Sequence, residues 1–286
     1  MTEMTSMTGK VCLVTGAAAG IGNQTALGLA KMGATVIALA RDPVRGPKCV
    51  DELKALSGNP NVELLLCDLS SQQSIRDAAA EVKKKHPKLH VLINQAGIYS
   101  ADRKVTPEGL ELMFAVNHLA YFHLTVLLID LLKAAAPARI INGTGAVEGA
   151  GKIDFDDLQA EKRFSPFRAL AQSKLGNLLF TMELARRLKG TGVTATCFHP
   201  GGVKTGFATG EGGMMGFIMS VARMFGGTPA DAAKIPLRLA SAPELAQVTG
   251  QYFNVMKPAS PSKKAQDPEL ARRLWEVSEQ LTGAKM

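Results

Sequence analysis

The sequence predicts an α/β fold, a doubly wound parallel sheet with helices on both faces, and three observations carry that prediction. Short apolar runs alternate with stretches of helical periodicity along most of the chain. The runs are apolar almost throughout, as strands buried on both faces must be. The first run also ends directly in a glycine-rich turn that opens a helix.

Taken in order, strands are expected at 10–15 (KVCLVT), 34–40 (ATVIALA), 62–67 (VELLLC), 89–94 (LHVLIN), 139–143 (RIING) and 193–199 (VTATCFH). A last short strand is expected at 251–255 (QYFNV). Helical patterns at 21–32, 44–56, 72–85, 107–135, 167–188 and 229–242 fill the intervals, and a final helix is expected near 268–281. Such alternation calls for a parallel sheet covered on both sides. No internal repeat and no Pro/Ser-rich linker interrupts it, so residues 1–286 read as one domain, with a core at 8–255 and a tail and helix at 256–286. The stretch 202–228 is rich in Gly and Met. It reads either as a substrate lid or as a loosely packed surface loop.

Composition narrows the function. The net charge of +8 suits an anionic ligand, but the basic residues are scattered, which argues against nucleic acid. Their densest run, Lys83-Lys84-Lys85, ends an amphipathic helical pattern, where the helix dipole favours cations. The four cysteines, Cys12, Cys49, Cys67 and Cys197, lack metal-ligand spacing and suit a reducing cytoplasm. No metal is expected: His86 and His90 have helical ligand spacing, but Pro87 breaks the helix between them. The amino terminus carries no signal-peptide pattern. The longest apolar run, 119–132, contains His123 and Asp130 and is too short for an integral membrane segment.

The turn after the first strand reads Thr15-Gly16-Ala17-Ala18-Ala19-Gly20-Ile21-Gly22. Glycines there let the backbone bend and approach a pyrophosphate, while the helix amino terminus offers free N–H groups and a positive dipole end. This is the chemistry of a Rossmann-type dinucleotide site. The TGxxxGIG spacing resembles that of the short-chain dehydrogenase/reductases, and the resemblance extends over residues 8–283. Asp68-Leu69 is similar to the step that contacts adenine, and Asn94-Gln95-Ala96-Gly97 to the family's NNAG motif, with Gln95 replacing the second asparagine. Asn117 resembles the helix asparagine of the proton relay. His199-Pro200-Gly201 matches the PG motif near the nicotinamide, followed by Val203 and by Thr205, placed to meet the carboxamide. Phrases such as PARIIN and GTGVTATCFHPGGV are especially similar to the retinol dehydrogenase-like branch.

The resemblance implies cofactor contacts from Gly16, Ala18, Gly20, Ile21, Gly22, Arg41, Asp68, Leu69, Asn94, Ala96, Gly97, Lys174, Pro200, Gly201, Val203 and Thr205. NAD sites place a carboxylate at the end of the second strand, whereas NADP sites place a cation there. This strand ends in Ala40-Arg41-Asp42, with Ala40 in the discriminating position and Arg41 able to clamp a phosphate. NADP(H) is therefore expected. NAD stays open because Asp42 stands one residue further on.

In the family a tyrosine stands four residues before a helical lysine, which lowers the phenol's pKa so that it can pass a proton to the substrate oxygen. Lys174 is present, but Leu170 occupies the tyrosine position. The strand-end serine is replaced as well: the chain reads Asn142-Gly143-Thr144-Gly145, with Gly145 at the serine position. The only tyrosines are Tyr99, Tyr121 and Tyr252, so no small shift of alignment restores the relay. Three readings remain. One is hydride transfer to an acceptor that needs no tyrosine, such as an iminium or a conjugated system. Another is a non-redox cyclisation, elimination or rearrangement with structural NADP(H). The third is a non-catalytic dinucleotide binder. Thr144, Tyr99, His118 and Glu148 are candidate substitutes for the lost groups, and Asn117 and Lys174 are what remains of the relay. Asp154, Asp156 and Asp157 read as a solvated loop or a group near the pocket mouth. A small-molecule substrate is expected. The resemblance also implies a possible homo-oligomer through the apolar helix at 113–132.

Overall fold

The computed structural model describes residues 5–203 and 226–286. Eight strands form one sheet: β1 Val11–Thr15, β2 Thr35–Ala40, β3 Val62–Leu66, β4 Val91–Asn94, β5 Ala138–Gly143, β6 Val193–His199, β7 Gln251–Asn254 and β8 Lys257–Ala259. Their order is β3-β2-β1-β4-β5-β6-β7-β8, parallel up to the final antiparallel pair. The order reverses between β1 and β4. A crevice therefore opens beyond their carboxyl ends, where doubly wound sheets bind ligands.

Alternation along each strand divides the core. On β1, Leu13 faces the cluster that includes Ile75, Leu128 and Phe180, while Cys12 and Val14 face the cluster that includes Ala26, Leu29 and Leu239. Helices α1 Gly20–Lys31, α2 Arg45–Ser57 and α6 Pro229–Ser241 cover the second face. Helices α3 Gln72–Lys85, α4 Leu112–Ala134 and α5 Pro166–Arg187 cover the first. Both faces are closed, which is why the strands are apolar throughout.

The sequence expectations hold for these strands to within a few residues, but two elements differ. Helix α4 begins at Leu112 rather than at 107. Gly109 takes a left-handed φ of 77°, and Glu111 caps the start, its carboxylate accepting from the N–H groups of Met113 and Phe114 at 2.9 and 2.7 Å. The final helix lies where it is expected, but the segment before it is more than a tail. It adds β8 to the sheet edge and lays α7 Pro268–Thr282 against α5. Trp275 of α7 stacks on Phe180 (ring centroids 5.8 Å), meets Phe122 edge-on (4.9 Å) and carries the Arg187 guanidinium 4.3 Å above its ring.

Helix α4 is long and apolar enough to cross a membrane, yet it lies mostly buried among α3, the sheet and α5. Most of the surface expected at a dimer interface is thus covered within this chain. Asp130 and Lys133 near the end of α4 remain exposed.

Candidate active site

The glycine-rich turn fits a dinucleotide by three independent features. Gly16 and Gly20 hold φ of 70° and 58°, where other residues are strained. A Cβ on Gly16 would lie 2.9 Å from the Ala96 Cα, and one on Gly22 would run into the Gly16 carbonyl. At the start of α1, Ala19 offers no side-chain cap and the first turn holds no acidic residue. The N–H groups there are left for an anion.

The opposite wall is braced from several directions. Thr15 Oγ1 accepts from the N–H groups of Gln95 and Ala96 at 2.9 and 3.0 Å. The Tyr121 hydroxyl donates to the Ala96 carbonyl at 2.6 Å. Asn117 takes the Ile98 N–H at 2.8 Å, donates to the Ile98 carbonyl at 3.0 Å and donates to Ser173 Oγ at 3.2 Å. It does so from a π-helical turn, Ala115–Leu119, a local widening that often marks functional positions. Asn117 therefore ties the Ala96–Ile98 loop to α5.

Asn94 needs a correction of role. Its side chain is fully buried and donates to Thr125 Oγ1 and Asn142 Oδ1 at 3.1 and 2.9 Å, so only its backbone faces the crevice. Leu69 is likewise a core side chain. Asp68 remains partly exposed at the end of β3, where Ser70 donates to it through N–H and Oγ. Gln95 has accommodated its extra length: a Cβ on Gly143 would lie 2.8 Å from Gln95 Oε1, so Gly143 makes the room that Gln95 occupies.

At the end of β2, Arg41 is exposed beside the turn. The Asp42 carboxylate is committed elsewhere. It accepts from the N–H groups of Val44 and Arg45 at 2.8 and 3.0 Å, which holds its pKa below the usual carboxylate value and caps α2. Across the sheet, Gly201 follows Pro200 with φ of 82°, and Val203 bridges to Gly227. Thr205, and most of the expected lid at 202–228, lie outside the described residues.

The corner where the expected relay residues lie is built from α5 and the end of β5. Asn177 donates to the Gly143 carbonyl at 2.9 Å, and Thr144 Oγ1 donates to the Lys174 carbonyl at 2.8 Å. These bonds fix Gly145 over the lysine: a Cβ there would sit 3.6 Å from Lys174 Cγ, ordinary van der Waals contact. Lys174 is buried, and burial lowers its pKa to about 8. Its Nζ has no hydrogen bond or ion pair among the described residues. One turn earlier, Leu170 packs with Met113 and Ala169 and against Ile98, Tyr99, Val147 and Phe164. An apolar wall stands beside the lysine.

Most of the expected substitutes for the lost acid are engaged elsewhere. Thr144 has committed its proton to the Lys174 carbonyl. Glu148 accepts from the N–H and hydroxyl of Ser262 at 3.2 and 2.7 Å. His118 is fully buried beside Phe114 and shares a 3.2 Å hydrogen bond with Ser278 of α7, facing away from the crevice. Tyr99 lies in the apolar wall itself, partly buried. Asp157 accepts from the backbone of Glu161, Lys162 and Arg163 and shapes its own loop. His86 pairs with Glu63 while His90 Nδ1 accepts from the Val11 N–H, so the two do not converge. Sequence reasoning missed Thr15, Tyr121 and Asn177, whose roles depend on long-range hydrogen bonds.

The short chain dehydrogenase family profile matches residues 10–214. This chain belongs to that family. Among curated proteins it is 42% identical to retinol dehydrogenase 13 of Homo sapiens, over 96% of this chain and 85% of that protein. It is 41% identical to retinol dehydrogenase 12 of Mus musculus, over 96% and 87%. Among solved structures, an uncharacterised Mycobacterium paratuberculosis protein aligns with a TM-score of 0.80 at 30% identity, covering 99% of this chain and 97% of that one. A Beutenbergia cavernae protein described as an NAD(P)-dependent gluconate 5-dehydrogenase, solved with NADP bound, aligns at 0.71 and 25% identity, covering 87% and 96%.

Proposed function

We propose that this short-chain dehydrogenase is an atypical NADP(H)-dependent reductase of a small apolar substrate, such as an iminium or a conjugated acceptor. The observation that carries this reading is a buried Lys174 retained beside Leu170, which is packed into an apolar wall one turn away. The turn at 16–22 and the start of α1 would hold the pyrophosphate, Arg41 the phosphate that distinguishes NADP, and Asp68 the adenine. Ala96, Gly97, Pro200, Gly201, Val203 and Lys174 would hold the nicotinamide half, whose bound reduced form supplies hydride. NADP is favoured over NAD because the Asp42 carboxylate already caps α2 while Arg41 is exposed.

The names of the curated relatives point to retinol, and an apolar wall would suit such a molecule. Reducing a carbonyl, however, requires protonating an alkoxide. Losing a positioned general acid typically costs roughly 10²- to 10⁴-fold in rate. An iminium avoids that cost because hydride turns the cation directly into a neutral amine. A second reading, a non-redox enzyme or a dinucleotide binder, is favoured by the engagement of Thr144, Glu148 and His118 away from the crevice. We place the protein in the cytoplasm as one domain, on the support of four buried, unpaired cysteines.

Nicotinamide absorbance separates the readings. NADPH oxidation dependent on a cyclic imine or an enone supports the reductase. Product formed at constant absorbance supports non-redox chemistry, and binding without product supports a binder. Absence of NADP(H) binding by calorimetry would remove the cofactor assignment. The double change Leu170→Tyr with Gly145→Ser is expected to create generic carbonyl reductase activity, because a Cβ at 145 already has ordinary contact distance to Lys174.

A further inference from the structure

His118 stands next to Asn117 on the π-helical turn, and that turn meets α5 at two points one helical turn apart. Asn117 donates to Ser173 Oγ at 3.2 Å, and three residues further along the same face of α5 the His118 ring lies against Gly176. A Cβ on Gly176 would stand 2.9 Å from the ring Nδ1 and 3.1 Å from its Cγ. Gly176 lies inside α5, where glycine destabilises relative to alanine, and it has no left-handed φ to call for it. The ring fills the room that the missing side chain leaves. A larger residue there would push the ring, and the turn that carries it, away from α5.

The far end of the ring is held by α7. Ser278 donates its only proton to the Leu274 carbonyl at 2.7 Å, so in its 3.2 Å bond with His118 the Nε2–H is the donor. Phe114 lies against the ring with centroids 5.1 Å apart, and Phe180 meets it edge-on at 6.4 Å. Trp275, three residues before Ser278 on α7, stacks on the same Phe180. His118, Ser278, Phe114 and Phe180 are all buried. The turn is thus seated between α5 and α7, while Asn117 reaches from it to the Ile98 N–H and carbonyl.

We infer that His118 is a positioning residue of this site: wedged against Gly176 and held by Ser278, it fixes the spacing of the π-turn from α5 and thereby the grip of Asn117 on the Ile98 loop. Through Ser278 the C-terminal helix acts on that loop. The consequence for turnover rests on the reductase reading, whereas the hold on Asn117 does not.

Amide hydrogen exchange of the whole protein tests the hold directly. The Ile98 amide donates to Asn117 Oδ1, so its exchange reports that contact. In Ser278→Ala and His118→Leu it should quicken by roughly 2- to 10-fold, the scale of one hydrogen bond, relative to the Ile140 amide in the middle of β5. His118→Gln can still donate to Ser278 and should stay nearer the wild-type ratio than His118→Leu. An unchanged ratio in Ser278→Ala and His118→Leu overturns the inference, because a residue that only fills the core would loosen both amides alike. Should His118→Leu fail to fold, Ser278→Ala decides alone. The second measurement is kcat with NADPH and either cyclohexenone or a cyclic imine. It should fall by up to about 100-fold in His118→Leu and recover in large part in His118→Gln. Faster Ile98 exchange with kcat unchanged overturns the inference and leaves the reductase reading standing. A wild type that oxidises NADPH with neither acceptor removes the reductase reading, and the exchange ratio still decides whether His118 positions Asn117.

Discussion

The glycine-rich turn and the corner around Lys174 lie on the same edge of one sheet, yet they tolerate change very differently. At the turn, Gly16 and Gly22 have no space for a Cβ, and the buried side chains of Thr15, Tyr121 and Asn117 hydrogen-bond to the backbone of the facing loop. At the corner, Gly145 has space for a Cβ, and Leu170 fits an apolar cluster with its neighbours. At Gly16 and Gly22 the first region is constrained by backbone meeting backbone, which no rotamer change relieves. The second is defined by side chains on a rigid frame, so its chemistry can be exchanged without disturbing the fold.

Matched substitutions test that contrast. The largest effect is expected from Gly22→Ala, whose Cβ would strike the Gly16 carbonyl. It should destabilise the protein by about 3 kcal/mol in urea denaturation and weaken NADP(H) binding by more than about 100-fold, roughly 3 kcal/mol, in calorimetry. A wild-type-like result would show that the turn is looser than its geometry.

Acid should act on the frame behind the corner. His118 is fully buried against α5, and burial lowers its pKa from 6.5 to about 4. The unfolded chain therefore binds a proton between those values that the folded chain does not. Stability from this group is complete above pH 6.5 and is lost as pH falls toward 4. The loss is about 3 kcal/mol, and His118→Gln should flatten the slope of unfolding free energy over that range.

Arg41→Glu should weaken NADPH binding by roughly 10- to 100-fold, the scale of one or two charge-assisted hydrogen bonds, while changing NADH binding little. Equal loss for both cofactors would remove the choice of NADP. The smallest effect is expected at the corner itself. Gly145 has an extended φ of −152° and a Cβ there would make ordinary van der Waals contact, so Gly145→Ala should raise stability by about 0.4–1 kcal/mol in the same denaturation assay.

Much of the fold was legible because buried parallel strands leave a long apolar signature, and the runs at 10–15, 34–40 and 193–199 could not be read otherwise. The start of α4 was not, since Gly109 and the Glu111 cap lie inside a pattern that remains periodic back to 107. Nor was the docking of α7, whose Trp275 finds Phe122 and Phe180 far away in sequence. At the site, the glycine spacing and the absence of a tyrosine before Lys174 were visible directly. The inward turn of Asn94, the commitment of Asp42 to α2 and the matching of Gln95 with Gly143 were not.

That the turn can approach a phosphate, and that no phenol stands four residues before Lys174, follow from which atoms the residues possess. Only the tertiary structure decided which polar groups remain available. Thr144, Glu148 and His118 each carry a proton or lone pair suited to catalysis, and each is engaged by a partner at least thirty residues away in the chain. Hydrogen bonds over such separations depend on how helices pack on the sheet, which local pattern does not encode. Among the described residues, that packing leaves the Lys174 ammonium without a hydrogen bond or ion pair while the candidate substitutes around it are engaged.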